Sequence, residues 1–301
     1  MDLESLELLI ALAESGSFSK AAERRAMSQS AVSQRLRALE SALGHRLVVR
    51  GKGRPGAELT EAGERTLAAA REIAARRTAL ERELAELGGE PGGTLNVATV
   101  YSIGLHALTP ALQQFLAACP QVNLHLEYLR TDRIYAALLQ GTLDCGIVAC
   151  PQKRAGIEVL PLTDEPMVAV TAPGHALAGA DALAPPALQS APFVAFDADI
   201  PTRRLIDGWL GGTSVRVVQA FDNIETIKRV VEIGLGVAIV PEPTVRREVR
   251  DGALVVRALI PTLVRPTGIL LRQGGVRSRA LERFLGVLLG ETKRPDETRP
   301  A

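Results

Sequence analysis

The side chains best suited to chemistry lie in the segment from Ser17 to Glu40. Val32, Leu36 and Leu39 recur at helical spacing, which predicts a helix with one apolar face. The opposite face carries Ser, Gln and Arg, whereas a solvated helix usually carries Glu and Lys there. Glutamine can pair with adenine, and arginine with guanine, through two hydrogen bonds each. The pattern therefore predicts a helix that reads DNA through Ser28, Gln29, Ser30, Ser33, Gln34 and Arg37.

Positive charge is concentrated in the same region. Residues 20–54 hold nine basic and two acidic side chains, a local net charge of +7 in a chain of net charge +1. Contacts with DNA phosphates require such a patch. The predicted phosphate contacts are Lys20, Arg50, Lys52 and Arg54, and the loop RGKGRPG is a candidate wing along the DNA backbone. An ordinary helical hairpin within a bundle is the alternative interpretation.

A second set of polar side chains follows the predicted strands of the C-terminal half. Free N–H groups at the starts of the following helices favour an anion, and arginine can hold a carboxylate through two hydrogen bonds. We expect a small organic anion, most plausibly a carboxylate, between two subdomains. The predicted contacts are Tyr101, Ser102, Thr131, Thr202, Arg203 and Asn223, with Arg130 as a second positive charge at the rim. In the alternative, these Ser, Thr and Asn residues only cap helices, Arg203 pairs with Asp199 or Asp207, and the ligand is neutral.

These side chains need a particular set of elements to hold them. Residues 1–58 predict helices and turns, in which Gly16 ends the first helix and Ser17 and Ser28 cap the next two. Residues 59–87 predict one long helix, and 88–93 a flexible joint. Nine strand-like runs alternate with helical stretches over residues 94–290, which predicts a mostly parallel sheet with crossover helices. Residues 291–301 predict a disordered tail.

The long helix carries a heptad pattern. Its apolar positions are Leu59, Thr66, Ile73, Leu80 and Leu87, with a companion set Gly63, Ala70, Arg77 and Leu84. Such a seam predicts a coiled coil between two copies of the chain, with imperfect positions at Gly63, Thr66 and Arg77. A single amphipathic helix packed on its own chain is the alternative.

The motifs resemble those of a known family. The N-terminal matches are Ser17-Phe18-Ser19, Ala21-Ala22, Ser28-Gln29, Ala31-Val32-Ser33, Leu39-Glu40, Leu43-Gly44, Leu47, Arg50 and Leu59-Thr60-x-Ala62-Gly63. They resemble the N-terminal domain of LysR-type transcriptional regulators, with a departure at Val48, where the family usually has Phe. ALLQGTLDCGIVA, PGHALAG and VEIGLGVAIVPEPTV resemble elements of that family's second half.

The resemblance implies an α + α/β architecture. It consists of a winged helix-turn-helix over residues 1–58, a linker helix and a periplasmic-binding-protein-like effector domain. Subdomain I would comprise 94–164 and 267–290, and subdomain II 165–266, with crossovers near Thr163–Pro166 and Val264–Thr267. The implied partners are double-stranded DNA with an imperfect inverted repeat, a small-molecule effector, and further copies of the chain as a dimer and a tetramer. RNA polymerase is a further candidate partner.

Several classes of function are disfavoured by the sequence. The acidic N-terminus lacks the basic start of a secretory signal, and no apolar run has the length of a membrane span, so we expect a cytoplasmic protein and not a transport component. Three cysteines without a CxxC pair predict no disulfide framework and no redox role. We expect no cofactor, no metal site and no enzyme, because neither metal-ligand spacing nor a catalytic constellation is present.

Overall fold

The computed structural model describes residues 2–50, 57–85 and 92–290. The chain separates into two compact units, an N-terminal one of residues 1–88 and a C-terminal one that takes nearly all of the rest.

The N-terminal unit begins with three helices, α1 (Leu3–Ser15), α2 (Phe18–Arg24) and α3 (Gln29–Leu43). Gly16 and Gly44 end α1 and α3 in the left-handed conformation, with φ of 61° and 69°. The Ser28 hydroxyl accepts a hydrogen bond from the Ala31 N–H at 3.2 Å and caps α3, as predicted. Ser17 is the N-cap residue of α2, as predicted, but its side chain makes no cap hydrogen bond.

A short antiparallel pair follows, β1 (Val48–Arg50) and β2 (Ala57–Leu59). The two strands flank residues 51–56, so the predicted contacts Lys52 and Arg54, and the side chain of Arg50, lie outside the described residues. The Glu40 carboxylate accepts hydrogen bonds from the N–H groups of Leu47 and Val48, which ties the start of β1 to α3.

The long helix α4 (Glu61–Ala85) starts two residues later than predicted. Leu59 pairs with Val48 in the strand register and is therefore extended. The Thr60 hydroxyl accepts a hydrogen bond from the Gly63 N–H at 3.0 Å and caps the helix instead. Leu87, the last predicted heptad position, lies outside the described residues.

The first and the later turns of α4 have different environments. Leu67 and Ala70 are buried, and Ala70 belongs to the apolar core that α1 and α3 help to form. A methyl group on Gly63 would lie 2.1 Å from the Leu47 carbonyl oxygen, so only glycine fits this approach. An apolar stripe is left exposed further along the helix, at Ile73, Leu80 and Leu84. The helix thus packs on its own unit near its start and presents an unpaired seam further on.

The C-terminal unit is an α/β assembly. Its helices are α5 (Thr109–Ala118), α6 (Thr131–Gln140), α7 (Pro201–Leu210), α8 (Ile224–Glu232), α9 (Arg246–Arg250) and α10 (Arg279–Leu288). Its strands are β3 (Gly93–Thr99), β4 (Val122–Tyr128), β5 (Cys145–Ala149), β6 (Ile157–Thr171), β7 (Ala182–Leu183), β8 (Pro192–Phe196), β9 (Arg216–Phe221), β10 (Ala238–Pro241), β11 (Val255–Leu259) and β12 (Val264–Arg272). Each of the nine predicted strand runs coincides with one of these strands.

The strands form two subdomains that share two long strands. Subdomain I is built on β3–β5, with α5, α6 and α10, and subdomain II on β7–β11, with α7–α9. The main sheet has the order β4-β3-β5-β12-β6-β11-β7, with β10 also paired to β6. β6 and β12 run through both subdomains and pair antiparallel with each other.

Parallel strand pairs occur within each subdomain, but the main sheet is not mostly parallel as expected. β3 is parallel to β4 and to β5, and β8 is parallel to β9. β12 is antiparallel to β5 and β6, and β6 is antiparallel to β10 and β11. The reason is the chain path, because β6 carries the chain into subdomain II and β12 brings it back.

Each subdomain has its own apolar core. In subdomain I, Phe115 of α5 and Phe284 of α10 meet edge to face with ring centroids 5.0 Å apart. In subdomain II, Met167, Phe193 and Ile239 belong to a separate buried cluster. The polar groups at the crossover strands therefore lie between two rigid bodies.

Replacement of Gly63 by alanine tests the packing of α4. We expect Gly63→Ala to destabilise the N-terminal unit by about 1–3 kcal/mol, because the new methyl group meets backbone that must shift. Urea unfolding followed by far-UV circular dichroism measures the change. Fluorescence of Trp209, the single tryptophan, reports on subdomain II and should keep its midpoint. Glu64→Ala, at the exposed neighbouring position, is the control, and equal midpoints for both variants would contradict the packing.

Candidate functional site

The polar face of α3 is its exposed face. Val32, Leu36 and Leu39 are buried on the other side. Five of the six predicted contacts are exposed and Ser33 is half-buried, the exposed ones being Ser28, Gln29, Ser30, Gln34 and Arg37. Ser28 has a different position from the rest, because its hydroxyl caps α3 and lies 2.9 Å from the Ser30 hydroxyl. It holds the helix start and leaves Gln29 and Gln34 free to reach outward.

Glutamates of α1 neutralise part of the basic segment. Arg24 pairs with Glu14 at 3.2 Å, Arg25 with Glu7 at 2.7 Å and Arg35 with Glu4 at 2.5 Å. The net charge counted from the sequence therefore overstates what is available to a polyanion.

The basic side chains that these glutamates do not neutralise lie around α3. Within the described ranges, Lys20, Arg37 and Arg46 form no ion pair, and all three side chains are exposed. Ser33, Arg37 and Arg46 line a groove of about 440 Å³ between α3 and β1. The basic surface that remains thus borders the face that carries Gln29 and Gln34.

A cavity of about 60 Å³ lies between the subdomains of the C-terminal unit. Its polar lining includes four of the six predicted contacts, Tyr101, Ser102, Thr131 and Thr202, together with Arg130, Asp222 and Arg265. Its apolar lining is Val100, Leu129, Ala149, Phe196, Ile200, Pro201 and Ile224. Ser102 and Thr202 are both buried. Three aliphatic hydroxyl side chains from two subdomains, and the phenol side chain of Tyr101, therefore line one small space.

Arg265 is the residue that sequence reasoning missed. It is 1% exposed and lies on β12 opposite Glu165 of β6. Its Nε and Nη2 donate to Glu165 Oε2 at 2.9 and 2.5 Å. Its Nη1 points to Ser102 Oγ at 3.2 Å and Thr202 Oγ1 at 3.5 Å, which are long contacts. The guanidinium is thus anchored on one edge and weakly engaged on the edge that faces the cavity.

A signal for this pair was present in the sequence. The two predicted crossovers each contain a charge, Glu165 in one and Arg265 in the other. Charged residues in a strand that joins two cores must be buried together or paired. If the two crossover strands are expected to pair antiparallel, the two charges are predicted to lie side by side.

Two predicted contacts do not line the cavity. Arg203 donates to Asp207 Oδ1 at 2.8 Å and to the Phe196 carbonyl oxygen at 2.9 Å. The reason is helical spacing, since Arg203 and Asp207 are four residues apart on α7. Asn223 accepts a hydrogen bond from the Glu225 N–H at 2.8 Å and caps α8. Arg203 thus forms a local ion pair and Asn223 caps a helix, as in the alternative interpretation.

Arg130 connects the subdomains at the cavity rim. It follows β4 and pairs with Asp199 and, at 3.5 Å, with Asp222 of subdomain II, while Asp132 lies 4.0 Å away. The hydrogen bond with Asp199 raises the pKa of Arg130 further, so this group stays charged. The rim is therefore closed by a charge bridge.

The other rim residues come from a tight turn. Tyr101 stacks on Tyr128 with ring centroids 5.2 Å apart, and the chain then forms a π-helical turn over Ile103–Ala107. A methyl group on Gly104 would lie 2.5 Å from the Tyr128 ring, so glycine permits this approach. Single π-helical turns often occur at functional sites.

Cys150 lies near the cavity as well, beside Thr202 and Arg265. Burial raises the pKa of the Cys150 thiol, and it also raises the pKa of Cys145. A protonated thiol is a poor nucleophile. The electrostatics thus give neither thiol the character of a reactive thiolate.

A buried lysine organises charges behind α8. Lys228 is 2% exposed, and its ammonium group donates to the Thr244 carbonyl at 2.8 Å and to Glu248 Oε1 at 2.9 Å. Glu225 Oε1 lies 3.0 Å from Lys228 Nζ and 2.8 Å from Nε2 of His106, which belongs to subdomain I. Burial alone would raise the pKa of Glu248, but the hydrogen bond from Lys228 and the charges nearby lower it overall.

The Glu248–Lys228 pair should contribute to stability in a pH-dependent way. A carboxyl whose folded pKa is lowered stabilises the fold above its unfolded pKa, and this contribution is lost as pH falls through the folded pKa. We expect Glu248→Gln to cost roughly 1.5–3 kcal/mol at pH 7, the range for a hydrogen bond to a charged group. The difference from wild type should shrink as pH falls below the ordinary carboxyl pKa of about 4.3, and vanish below the lowered folded-state pKa of Glu248.

Urea unfolding followed by Trp209 fluorescence between pH 7 and pH 3 measures this. Glu242→Gln, which removes a carboxylate from an exposed pair with Arg246, is the control and should change stability by less than about 0.5 kcal/mol. A Glu248→Gln deficit that is the same at pH 7 and pH 3 would sink the interpretation.

The described residues form neither a metal-binding cluster nor a membrane-spanning helix. Nowhere in residues 2–50, 57–85 and 92–290 do three His, Cys, Asp or Glu side chains come together as a metal site would need. None of the described helices has the length and apolarity of a bilayer-spanning segment.

Comparison with known proteins bears on both halves of the chain. Residues 3–64 match the family described as bacterial regulatory helix-turn-helix protein, lysR family, and residues 88–293 match the LysR substrate binding domain. A probable RuBisCO transcriptional regulator of Nostoc sp. is 27% identical over 98% of this chain and 89% of its own length. The regulator IlvR of Caulobacter vibrioides is 31% identical over 91% of this chain and 93% of its own.

Solved structures agree with these matches. A full-length OxyR variant from Pseudomonas aeruginosa superposes with a TM-score of 0.75 at 27% identity, covering 96% of this chain and 98% of that one. Full-length CbnR in complex with its target DNA gives a TM-score of 0.66 at 22% identity, with 96% and 99% covered, a likeness that concerns the fold alone. With both halves matched in order, the chain belongs to the LysR family of transcriptional regulators, with an N-terminal helix-turn-helix DNA-binding domain and a C-terminal effector-binding domain.

Proposed function

We propose that this regulator binds operator DNA through α3 and that a small carboxylate bound beside Arg265 controls the binding. The observation that carries the proposal is the weakly engaged Nη1 edge of Arg265, which faces a cavity together with three hydroxyl groups. The effector is bound and released without chemical change, so the protein acts as a regulator and not as an enzyme. Its place of action is the cytoplasm, where the DNA is.

The DNA contacts divide into two kinds. Gln29, Gln34 and Arg37 on the exposed face of α3 read base edges, with Ser30 and Ser33 beside them. Lys20 and Arg46, and Arg50, Lys52 and Arg54 of the wing segment, contact phosphates. Ser28 holds the start of α3 through its cap.

We infer that two copies pair through the exposed stripe of α4. Ile73 and Leu80 are seven residues apart and Leu84 follows four later, which is the spacing of a coiled-coil seam. Two copies related by a two-fold axis would present two α3 helices to the two halves of an imperfect inverted repeat. Two such dimers form a tetramer on this proposal, and RNA polymerase is a further partner of the complex.

The cavity suits an oxygen-bearing ligand at one end and a short carbon skeleton at the other. A carboxylate can replace the 3.2 and 3.5 Å contacts of Arg265 with shorter charge-assisted ones and also accept from Ser102 and Thr202. Phe196, Ile200 and Ile224 supply the apolar wall. We place the subdomain boundaries at residues 164/165 and 266/267, so that the ligand lies between the subdomains.

The cavity volume bears on the mechanism. One water needs about 10–15 Å³ of such space, so 60 Å³ holds only a handful of atoms. A larger effector requires the subdomains to separate and close again around it. A ligand that favours one subdomain arrangement shifts the population of the regulator toward it, and this is how the effector would control operator binding.

Substitutions on α3 test the base contacts. We expect Gln34→Ala or Gln29→Ala to reduce discrimination between the operator and a mismatched site by about 1–3 kcal/mol, because a two-bond base contact is lost. Arg46→Ala should weaken binding to all sequences alike and lower the salt dependence. Ser41→Ala, at an exposed site in the second half of α3, is the control. Gel retardation on both DNAs measures this, and unchanged discrimination in both Gln variants would refute the orientation of α3.

Substitutions around Arg265 test the effector site. A carboxylate found by thermal-shift screening of a metabolite library serves as the probe. We expect Ser102→Ala and Thr202→Val each to weaken its binding by about fivefold or more, the usual effect of one hydrogen bond. Glu165→Gln combined with Arg265→Gln removes both buried charges together and should abolish binding. Removal of one charge alone would leave the other unpaired and unfold the protein.

Arg203→Ala is the matched control for these variants. Its guanidinium pairs with Asp207 and does not line the cavity, so carboxylate affinity should stay within twofold of wild type. Calorimetry on proteins with native circular dichroism gives the affinities. Equal binding by wild type, Ser102→Ala and the double variant would exclude this site.

A further inference from the structure

We propose that the effector carries two anionic groups and that the second is held in a separate outer pocket by Arg154 and Arg204. This inference rests on the proposed function, since the first group is the one that Arg265 receives. The ligand class is a short dicarboxylate or a comparable dianion.

The outer pocket has a volume of about 230 Å³ and adjoins the inner cavity. Four residues line both spaces, Arg130, Thr131, Ile200 and Pro201. The remaining lining is Asp132, Tyr135, Cys150, Gln152, Arg154, Asp199 and Arg204. The bridge between Arg130 and Asp199 stands at the boundary, so one molecule can extend from one space into the other when that bridge rearranges.

The charges of this pocket are unevenly compensated. Arg130 is surrounded by Asp199, Asp222 and Asp132 and needs no further anion. Arg204 reaches only the Asp199 carbonyl oxygen, at 3.4 Å. In the described part of the chain, neither Arg154 nor Arg204 has a carboxylate within 4 Å. Among the described residues, two guanidinium groups therefore border one concave space with no carboxylate at ion-pair distance from either, although Asp132 and Asp199 also line it.

Arg154 is held in place before any ligand arrives. Its guanidinium carbon lies 4.2 Å from the centroid of the Tyr135 ring. The Tyr135 hydroxyl donates to the Gln152 carbonyl oxygen and accepts from the Gln152 N–H, both at 2.7 Å. A fixed ring beneath the guanidinium reduces the entropy that a bound anion would cost.

The placement of the charges leaves a position for one added negative group. The outer pocket is lined by three arginines and two aspartates, but Asp222 of the inner cavity also pairs with Arg130, so the uncompensated positive charge belongs to Arg154 and Arg204. A single carboxylate can pair with these two guanidinium groups, while the carboxylate at Arg265 occupies the inner cavity. A monoanion satisfies only one of these positions, so the arrangement favours a molecule with an anionic group at each end.

A homologous series of probes tests the inference on the full chain. Calorimetry at fixed ionic strength compares straight-chain monocarboxylates with α,ω-dicarboxylates of three to six carbons. We expect at least one dicarboxylate to bind about tenfold or more tightly than the monocarboxylate of equal length. Arg154→Gln combined with Arg204→Gln should reduce that dicarboxylate to the monocarboxylate level and leave monocarboxylate affinity within twofold.

The control variant removes two other exposed arginines, by Arg133→Gln on α6 and Arg250→Gln on α9, and should keep the dicarboxylate preference. Equal affinities of mono- and dicarboxylates in wild type, or a preference that survives Arg154→Gln with Arg204→Gln, would overturn the inference. The proposed function would stand in that case if monocarboxylate binding still required Arg265. If no carboxylate binding to the wild-type protein depended on Arg265, both the inference and the proposed function would be overturned.

Discussion

The pairing of Arg265 with Glu165 is the contact on which the C-terminal unit depends. The two strands that carry these residues are the only described segments that run through both subdomains. Burial of two charges is costly, and a buried ion pair often stabilises a protein no more than well-packed apolar residues would. The ion pair matters here because it orients the Arg265 guanidinium. It fixes the guanidinium so that one edge points at Ser102 of subdomain I and Thr202 of subdomain II.

The remaining contacts between the subdomains are arranged around this centre. Arg130 joins them at the rim through Asp199 and Asp222, and His106 meets Glu225 behind α8. Each subdomain has its own apolar core, and a close-packed core resists internal deformation. Polar contacts between the subdomains are easier to exchange for ligand contacts than apolar packing is, because a ligand can supply the same hydrogen bonds. The contact between the subdomains can therefore respond to a small polar molecule.

Local features of the fold could be predicted from the sequence, and pairings at long range could not. The apolar face of α3, its Ser28 cap and its Gly44 end are specified by residues within one helix. The antiparallel strands β6 and β12 bring together residues 100 positions apart, so Arg265 was missed although both crossovers were located. Arg203, a predicted ligand contact, pairs in the structure with Asp207, which is four residues away on the same helix and does not bring it to the cavity. The charge of the N-terminal segment was overstated because Glu4, Glu7 and Glu14 neutralise it from outside the counted window.

The central claim is that the ligand at Arg265 and the operator at α3 bind to one coupled system. Thermodynamic linkage requires that the effector change operator affinity by the same factor as the operator changes effector affinity. Both factors are measurable by fluorescence anisotropy with labelled operator and by calorimetry with free and operator-bound protein. We expect equal factors different from one in wild type, and a factor of one when Glu165→Gln and Arg265→Gln are combined. A wild-type factor of one, or coupling that persists in the double variant, would contradict the claim.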